Sequence, residues 1–210
     1  FIIPFYIVGQ NTNIFEPDSG ILELNFVTFQ EEVEIYNSDR TVWMNFCVND
    51  HKAQLMDRSG YSFWDIEETY RRNKNFNPYK QIISCGKLMF QCTGIESGFY
   101  KVVVNEKTGL EKFIKIESQW VFKKWTEHLL TSVYSISFNK LSNPIRVENY
   151  EKANKLFSIG SIKKQEFKVI EVNSEWIKIS FQINGSKKTG WIKWKNKQKI
   201  IVIPKYIADQ

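Results

Sequence analysis

The stretch Gly190-Trp191-Ile192-Lys193-Trp194 closes a segment in which apolar and polar side chains alternate along the chain. The alternation starts at residues 176–181 (Trp-Ile-Lys-Ile-Ser-Phe), and a polar turn at residues 184–189 separates the two parts. Alternation with a period of two is typical of a half-buried β-strand, and the pair Asn184-Gly185 favours a chain reversal. The stretch therefore predicts the second strand of a β-hairpin.

A second copy of this pattern lies upstream. Residues 99–104 (Phe-Tyr-Lys-Val-Val-Val) correspond to the first strand of the hairpin, and residues 105–109 correspond to its turn. Lys-Thr-Gly occurs at the end of both turns, which is better explained by turn chemistry than by the Lys-Thr-Gly motif of penicillin-recognising enzymes. A small β unit that occurs twice predicts tandem small barrels of about five strands each.

Composition places the chain among globular proteins with much β structure. Hydrophobic residues make up 42% and charged residues 25% of the 210 residues, so a folded core is expected. The aromatic fraction of 15% favours strands, because aromatic side chains pack well on a pleated surface. We expect no membrane span, since no run of about 18 apolar residues occurs. Three cysteines are too few for a disulfide framework, and Cys92 continues the alternation of Leu88 and Phe90, which predicts a core position.

The positive charge is concentrated in the carboxy-terminal part. Residues 150–210 contain 13 lysines, no arginine and 5 acidic residues, giving +8, whereas the first 149 residues carry −2. Such a basic region attracts nucleic acid, anionic lipid or acidic polymers, but a face of solvated lysines is the commoner explanation. Because arginine is the preferred bidentate reader of phosphate and guanine, we do not expect nucleic acid to be the partner.

The patterns divide the chain into four parts. These are an amino-terminal β region with a short helix (residues 1–75), a central unit (76–118), a bridging helix (119–132) and a carboxy-terminal barrel (133–210). A strand is expected at residues 1–8, and the short helix at residues 65–72. The bridging helix is predicted because Val121, Trp125 and Leu129 recur every four residues. The predicted fold class is therefore all-β with minor α.

Five short motifs occur together in the last third of the chain. They are Asn-Pro-Ile-Arg at 143–146, Gly160, Phe-Lys-Val-Ile at 167–170, Trp-Ile-Lys-Ile at 176–179 and Gly-Trp-Ile at 190–192. The module that contains them, residues 135–204, resembles the bacterial SH3-like (SH3b) domains. The whole chain is also similar to proteins of the Bacteroidetes that end in a Gly-Trp-Ile-Lys-Trp module. The resemblance implies tandem small SH3-like β-barrels that bind their targets, often cell-wall material outside the cytoplasm, and it implies no enzymatic activity.

One position departs from the peptide-binding SH3 domains. Those domains carry Gly-aromatic-hydrophobic-Pro, and here Lys193 stands in the place of the proline and is followed by Trp194. Trp176 and Phe99 match the aromatic residue at the start of their central strand. Without the proline, we do not expect an aromatic-lined groove for a polyproline ligand.

No complete catalytic or metal-binding pattern is visible in the sequence. Cys47 and His51 supply two of the four ligands that a structural zinc ion usually needs. His128 is better explained as a packing residue than as a general base. We therefore expect no metal, no cofactor and no enzymatic activity. An enzyme with a site in the amino-terminal β region is an alternative, in which Asp57, Glu67 or His51 would line a deep pocket.

The candidate ligand site consists of Trp176, Trp194, Tyr150, Lys193 and Phe99. Trp191 is expected in the core, whereas Trp176 and Trp194 are expected to keep an exposed face. Exposed tryptophans beside lysines bind sugar chains, extended peptides or single-stranded nucleic acid. The alternative is that these aromatic residues pack between modules, because tandem modules need an interface.

These observations together predict a non-enzymatic binding or scaffolding protein. The SH3b resemblance implies that it acts outside the cytoplasm, in the periplasm or as a secreted protein. Its partner would be a protein or a cell-wall glycan or peptide. Binding of nucleic acid or another anionic polymer by the basic module is a further alternative, which predicts an affinity that falls steeply with salt.

Overall fold

The structure, a computed structural model, describes residues 19–25, 32–49, 54–56, 62–63, 74–82, 87–156, 166–197 and 199–207. Within these ranges the protein consists of β-strands and one short helix, which confirms the prediction of an all-β fold with minor α. The strand predicted at residues 1–8 and the helix predicted at residues 65–72 lie outside the described residues.

Ten antiparallel strands of the described residues form one large sheet. They are β1 (Gly20–Asn25), β2 (Glu32–Tyr36), β3 (Val42–Asn49), β4 (Gln54–Met56), β5 (Ser62–Phe63), β6 (Lys80–Ile82), β7 (Lys87–Glu96), β8 (Phe99–Asn105), β9 (Leu110–Lys115) and β10 (Trp120–Lys124). Their spatial order is β10-β1-β7-β8-β9-β2-β3-β4-β5, and β6 pairs with the first part of β7.

The strands of the upstream copy belong to this large sheet. The predicted hairpin is confirmed as β8 and β9, and Oδ1 of Asn105 accepts hydrogen bonds from the backbone N–H groups of Lys107 and Thr108 in its turn. Both strands also pair outside the hairpin, β8 with β7 and β9 with β2. None of the sheets formed by the described residues closes into a barrel.

The described part of the chain after residue 132 contributes seven further strands. They are β11 (Ser135–Phe138), β12 (Lys168–Asn173), β13 (Trp176–Ile183), β14 (Ser186–Lys193), β15 (Lys195–Asn196), β16 (Lys199–Ile200) and β17 (Val202–Lys205). Strands β12, β13 and β14 form one sheet, β11 pairs with β17, and β15 pairs with β16.

The hairpin predicted from the Gly-Trp-Ile-Lys-Trp stretch is confirmed as β13 and β14. Its turn is shorter than the predicted 184–189. Because Ile183 pairs with Ser186, the reversal is made by Asn184 (φ 49°) and Gly185 (φ 77°) alone. Two consecutive residues with positive φ are the geometry of a type I′ turn, which Asn-Gly adopts with little strain.

Helix α1 (Trp125–Thr131) covers only the second half of the helix predicted at residues 119–132. Residues 120–124 are strand β10, because Trp120 and Phe122 pair with the two leucines of β1. Pairing with β1 gives this segment a ladder of backbone hydrogen bonds, so tertiary contact overrides the helical spacing. The helix follows directly after the strand.

Two clusters of buried side chains lie on opposite faces of the large sheet. Neighbouring residues of a strand point to opposite faces, so Leu22 belongs to the first cluster and Ile21 to the second. Cys92 is buried in the first cluster, which confirms its predicted core position. The second cluster joins Ile21 to Trp125 and Leu129 of α1 and to the buried face of β13, β14 and β17. The helix and the carboxy-terminal strands therefore cover the second face of the sheet.

Candidate functional site

Tryptophans and lysines alternate on the outer face of the β13–β14 hairpin. Trp176 lies opposite Lys193 in the strand register, and Lys178 lies opposite Trp191. Each lysine covers the tryptophan that it faces, with Nζ 5.5 Å from the centre of the indole ring in both pairs. A cation at this distance over an indole face is attracted by its π electrons. The alternation along two strands thus places two Trp–Lys pairs side by side.

This packing leaves both tryptophans of the hairpin buried. Trp191 is 9% exposed, which confirms its expected core position. Trp176 is only 8% exposed, so the expectation that it keeps an exposed face is wrong. The physical reason is the side chain of Lys193, which lies over the Trp176 ring from the neighbouring strand. Any ligand that reaches Trp176 therefore also contacts Lys193, which covers the ring.

The segment at residues 143–156 lies along the edge of β14. Arg146 and Trp191 exchange two backbone hydrogen bonds of 2.8 Å. A Cβ atom added at Gly190 would overlap Cγ2 of Ile145, so the absence of a side chain at this position permits the close approach. Gly190 thereby allows the polar loop at residues 143–156 to pack beside the hairpin.

Two carboxylates of the neighbouring loops hold the ammonium group of Lys193. Its Nζ is 2.9 Å from Oε2 of Glu151 and 3.9 Å from Oε2 of Glu175. The hydrogen bond from Lys193 lowers the pKa of the Glu151 carboxyl group. Tyr150 precedes Glu151 and has 51% of its surface exposed. We refer to Tyr150, Glu151, Trp176 and Lys193 as the Lys193 patch.

The side chain of Asn143 fixes the backbone of Lys193. Its Nδ2 donates a hydrogen bond to the carbonyl oxygen of Lys193 at 2.7 Å, and its Oδ1 accepts one from the N–H of Lys193 at 3.0 Å. A buried amide that satisfies both backbone groups of one residue sets the position of that residue. Local sequence patterns assign Asn143 only to a turn, because its partner lies 50 residues away.

Trp194 lies in the interior, so the expectation that it keeps an exposed face is wrong. Only 1% of its surface is exposed. Its Nε1 donates a hydrogen bond to the carbonyl oxygen of Ser174 at 2.8 Å, and its ring packs against Trp125 of α1. Strand β14 ends at Lys193, and the following side chain turns towards the helix. For Trp194, the geometry matches the alternative of an aromatic residue that packs between parts of the chain.

Phe99 lies in β8 of the large sheet, in a different sheet from the Lys193 patch. The guanidinium carbon of Arg40 is 4.2 Å from the ring centres of both Phe99 and Phe113. Tyr36 contacts the Phe99 ring edge-on, with 5.5 Å between ring centres. Phe99 is thus engaged in an aromatic–guanidinium stack of the sheet. Of the predicted site residues, Lys193 lies over Trp176, and Tyr150 directly precedes Glu151, which pairs with Lys193.

A cleft of about 640 Å³ lies between the large sheet and strands β16 and β17. Polar side chains on its walls are Tyr79, Lys80, Gln91, Glu106, Lys199 and Tyr206, and apolar ones are Ile200, Val202, Ile203 and Pro204. The sequence patterns do not predict this cleft, because its two walls come from segments that are far apart in the chain. In the sequence, each of the strand ends that form the cleft looks like an ordinary polar loop. The cleft exists only where these ends meet.

A chain of hydrogen bonds leads from the cleft into the interior. The hydroxyl groups of Tyr79 and Tyr206 are hydrogen bonded, and the Tyr206 hydroxyl is 2.9 Å from Nε2 of His128. Burial, together with the positive charges of Lys123 and Lys87, lowers the pKa of His128 to about 4. Burial also raises the pKa of Tyr79 to about 12. His128 is therefore neutral at neutral pH, and its packing between the helix and the cleft agrees with a structural role.

Most residues considered as catalytic groups or metal ligands lie outside the described part of the chain. This holds for His51, Asp57 and Glu67 and for the side chain of Cys47. In the ranges that the structure describes, no three His, Cys, Asp or Glu side chains are grouped as a metal ion would require. The helix found in those ranges is too short to cross a membrane.

Comparisons of the chain with protein-family models, with curated proteins and with solved structures gave no match. The likeness to SH3-like domains therefore rests on the sequence motifs, and the functional conclusion rests on the geometry of the Lys193 patch and of the cleft.

Proposed function

We propose that the chain is a binding or scaffolding protein without enzymatic activity, which contacts a protein or a cell-wall glycan or peptide through the Lys193 patch. Residues 133–210 act as an SH3-like barrel, in tandem with a more divergent unit at residues 76–118. The protein works outside the cytoplasm, as the SH3b resemblance implies. The motifs at 143–146 and 190–192 support this proposal, since these are the two segments that meet at the edge of β14.

The observation that carries the proposal is the placement of Lys193. Its ammonium group lies over Trp176 and is hydrogen bonded to Glu151, while the neighbouring Tyr150 is exposed. The patch thus offers an aromatic ring beside a hydrogen-bond donor and an acceptor. Saccharides and extended peptides use this combination, because their apolar faces stack on the ring while their hydroxyl or amide groups form hydrogen bonds.

Nucleic acid fits the Lys193 patch less well than a saccharide or a peptide. Lys193 pairs with Glu151, and Lys178 pairs with Glu171 at 3.6 Å, so carboxylates offset positive charge where the tryptophans lie. Arginine is absent from residues 150–210. Binding of single-stranded nucleic acid that weakens steeply with salt, as counterion release requires, would favour that alternative instead.

Retention of the full chain on purified peptidoglycan fragments tests the proposal. Tyr150→Ala removes the exposed ring, and Lys193→Gln removes the charge while it keeps a side chain over Trp176. Each change is expected to weaken retention about tenfold, the effect of losing one favourable polar or stacking contact. Lys187→Ala, in the exposed end of the same hairpin, is the matched control and should leave retention unchanged.

Circular dichroism of each variant shows whether the hairpin remains folded. Wild-type retention by both folded variants would contradict the assignment of the patch. If the wild-type chain is not retained at all, a cell-wall polymer is excluded as the partner, and a protein partner remains to be captured with the same variants as controls.

A further inference from the structure

The cleft between the large sheet and strands β16 and β17 lies apart from the Lys193 patch. Its volume of about 640 Å³ falls in the range of about 300–1,000 Å³ that is usual for small-ligand sites. The described residues that line it do not include any member of the Lys193 patch. The cleft and the patch are therefore separate surfaces of the molecule.

Glu106 supplies an acidic group to the lining of the cleft. The residue as a whole is exposed, but surrounding protein atoms limit the hydration of its carboxyl group, and this desolvation raises the pKa of Glu106 to about 7. Desolvation is the cause of this raised pKa, and no neighbouring cation of the described residues lowers it. An incompletely hydrated carboxyl group without a cation of its own favours a positively charged group of a ligand.

Lys80 and Lys199 supply basic groups to the lining of the cleft. Nζ of Lys80 lies 5.9 Å from the centre of the Tyr206 ring, at the side of the cleft, and Lys199 is exposed on β16. A ligand with only positive charge would be repelled by the two lysines, and a ligand with only negative charge would be repelled by ionised Glu106. The charges of the cleft therefore match a ligand that carries both signs.

The remaining wall is apolar. Ile203 has 66% of its surface exposed, and Pro204 lies beside it in β17. Contact with apolar ligand groups would remove this surface from water, which favours binding. A neutral saccharide would supply neither a cation for Glu106 nor an apolar group for Ile203.

We propose that the cleft binds a short peptide with a free amino group and a free carboxyl group. The ammonium group of the peptide pairs with Glu106, and its carboxylate pairs with Lys80 or Lys199. Ile203 and Pro204 contact the side chains between the two ends. This binding goes beyond the function proposed for the Lys193 patch, because the two sites share no residue and either can fail alone.

Binding in the cleft depends on pH through Glu106. The other titratable groups that face the cleft are Tyr79, Lys80, Lys199 and Tyr206, with His128 behind Tyr206. The pKa values of Tyr79 (about 12) and His128 (about 4) lie outside the neutral range, whereas that of Glu106 lies within it. Because the ammonium group pairs with the ionised carboxylate, affinity rises between about pH 5.5 and about pH 7.5, while the peptide amino group stays largely protonated.

Calorimetric titration of the full chain with leucyl-leucine tests the proposal. N-acetyl-leucyl-leucine and leucyl-leucine amide each lack one charge and are expected to bind at least about tenfold more weakly. Glu106→Gln is expected to weaken binding of the free dipeptide by a similar factor. It should also abolish the rise of the affinity with pH. Glu117→Gln, an exposed carboxylate outside the cleft, is the matched control and should bind like the wild type.

Several results would overturn the proposal. They are an absence of heat with leucyl-leucine at millimolar concentration, equal binding of free and blocked dipeptides, and tighter binding of the saccharide chitotetraose. Wild-type affinity of Glu106→Gln would do the same. Thermal unfolding checks the fold of that variant, and a double variant with Lys80→Gln and Lys199→Gln tests the carboxylate end independently.

Discussion

The indole rings of Trp194 and Trp125 pack against each other with 6.1 Å between ring centres and 44° between ring planes. Trp194 follows β14, and Trp125 is the first residue of α1. The same buried cluster contains Ile21 and Met89 of the large sheet. This pair therefore joins the carboxy-terminal strands to the sheet through the helix. Trp194, which is expected from the sequence to contact a ligand, instead stabilises the packing of these elements.

Replacement of Trp194 by alanine is expected to lower the free energy of unfolding by about 3–5 kcal/mol, the usual cost of removing a buried tryptophan. The variant loses the contact with Trp125 and the hydrogen bond to Ser174. Urea denaturation measures the change. Tyr150→Ala removes an exposed aromatic ring and is expected to stay within about 0.5 kcal/mol of the wild type. Similar losses in the two variants would contradict the interior position of Trp194.

Replacement of Gly190 by alanine is expected to destabilise the fold by about 1–3 kcal/mol, as overpacking usually does. The added Cβ would overlap Cγ2 of Ile145 and lie 2.5 Å from Cδ1 of Leu156. Thr189→Ala, at the neighbouring exposed position, is the control. A double-mutant cycle with Leu156→Ala is expected to give a favourable coupling of at least about 0.5 kcal/mol, and additive effects would show that the two positions do not meet.

The two hairpins could be predicted because their information is local. Alternation fixes the register of neighbouring strands, since a slip of one residue would turn every apolar side chain of β13 to the other face. Asn184 and Gly185 accept positive φ and set the reversal between β13 and β14. Neither feature depends on residues elsewhere in the chain.

The burial of the candidate site residues could not be predicted, because it depends on distant partners. Trp176 is covered by Lys193 from the opposite strand, and Trp194 meets a helix that precedes it by many residues. The spacing of Val121 and Trp125 suits a helix, yet pairing with β1 makes residues 120–124 a strand. A cleft formed where two separate segments meet likewise leaves no local pattern.

Loss of the Asn143 side chain is expected to loosen the Lys193 patch. Asn143→Ala leaves the N–H and the carbonyl oxygen of Lys193 without their partner, at a cost of about 1–3 kcal/mol for a buried unsatisfied group. Hydrogen exchange of the Lys193 amide should become faster, and retention of the variant on peptidoglycan fragments should be weaker than that of the wild type. Asn154→Ala, in the same loop with an exposed side chain, is the control. Unchanged protection of the Lys193 amide would contradict the role of Asn143.

Protonation of His128 is expected to destabilise the fold as the pH falls below neutral. Burial lowers the pKa of His128 from an ordinary value of 6.5 to about 4, so the unfolded chain takes up the proton more readily than the folded chain. The stability that depends on neutral His128 is fully present above about pH 6.5 and is lost progressively towards about pH 4. The shift of the His128 pKa corresponds to a total loss of about 3 kcal/mol in the free energy of unfolding.

Urea denaturation between about pH 4 and about pH 7.5, for the wild type and His128→Gln, measures this effect, because glutamine keeps a hydrogen-bonding group for Tyr206 but does not titrate. The wild type is expected to lose stability relative to the variant as the pH falls. Glu106 acts in the opposite direction: its pKa is raised to about 7, so its contribution is lost as the pH rises. Placing Glu106→Gln in both proteins removes that contribution. A stability difference that stays constant over the whole range would contradict a buried, neutral His128.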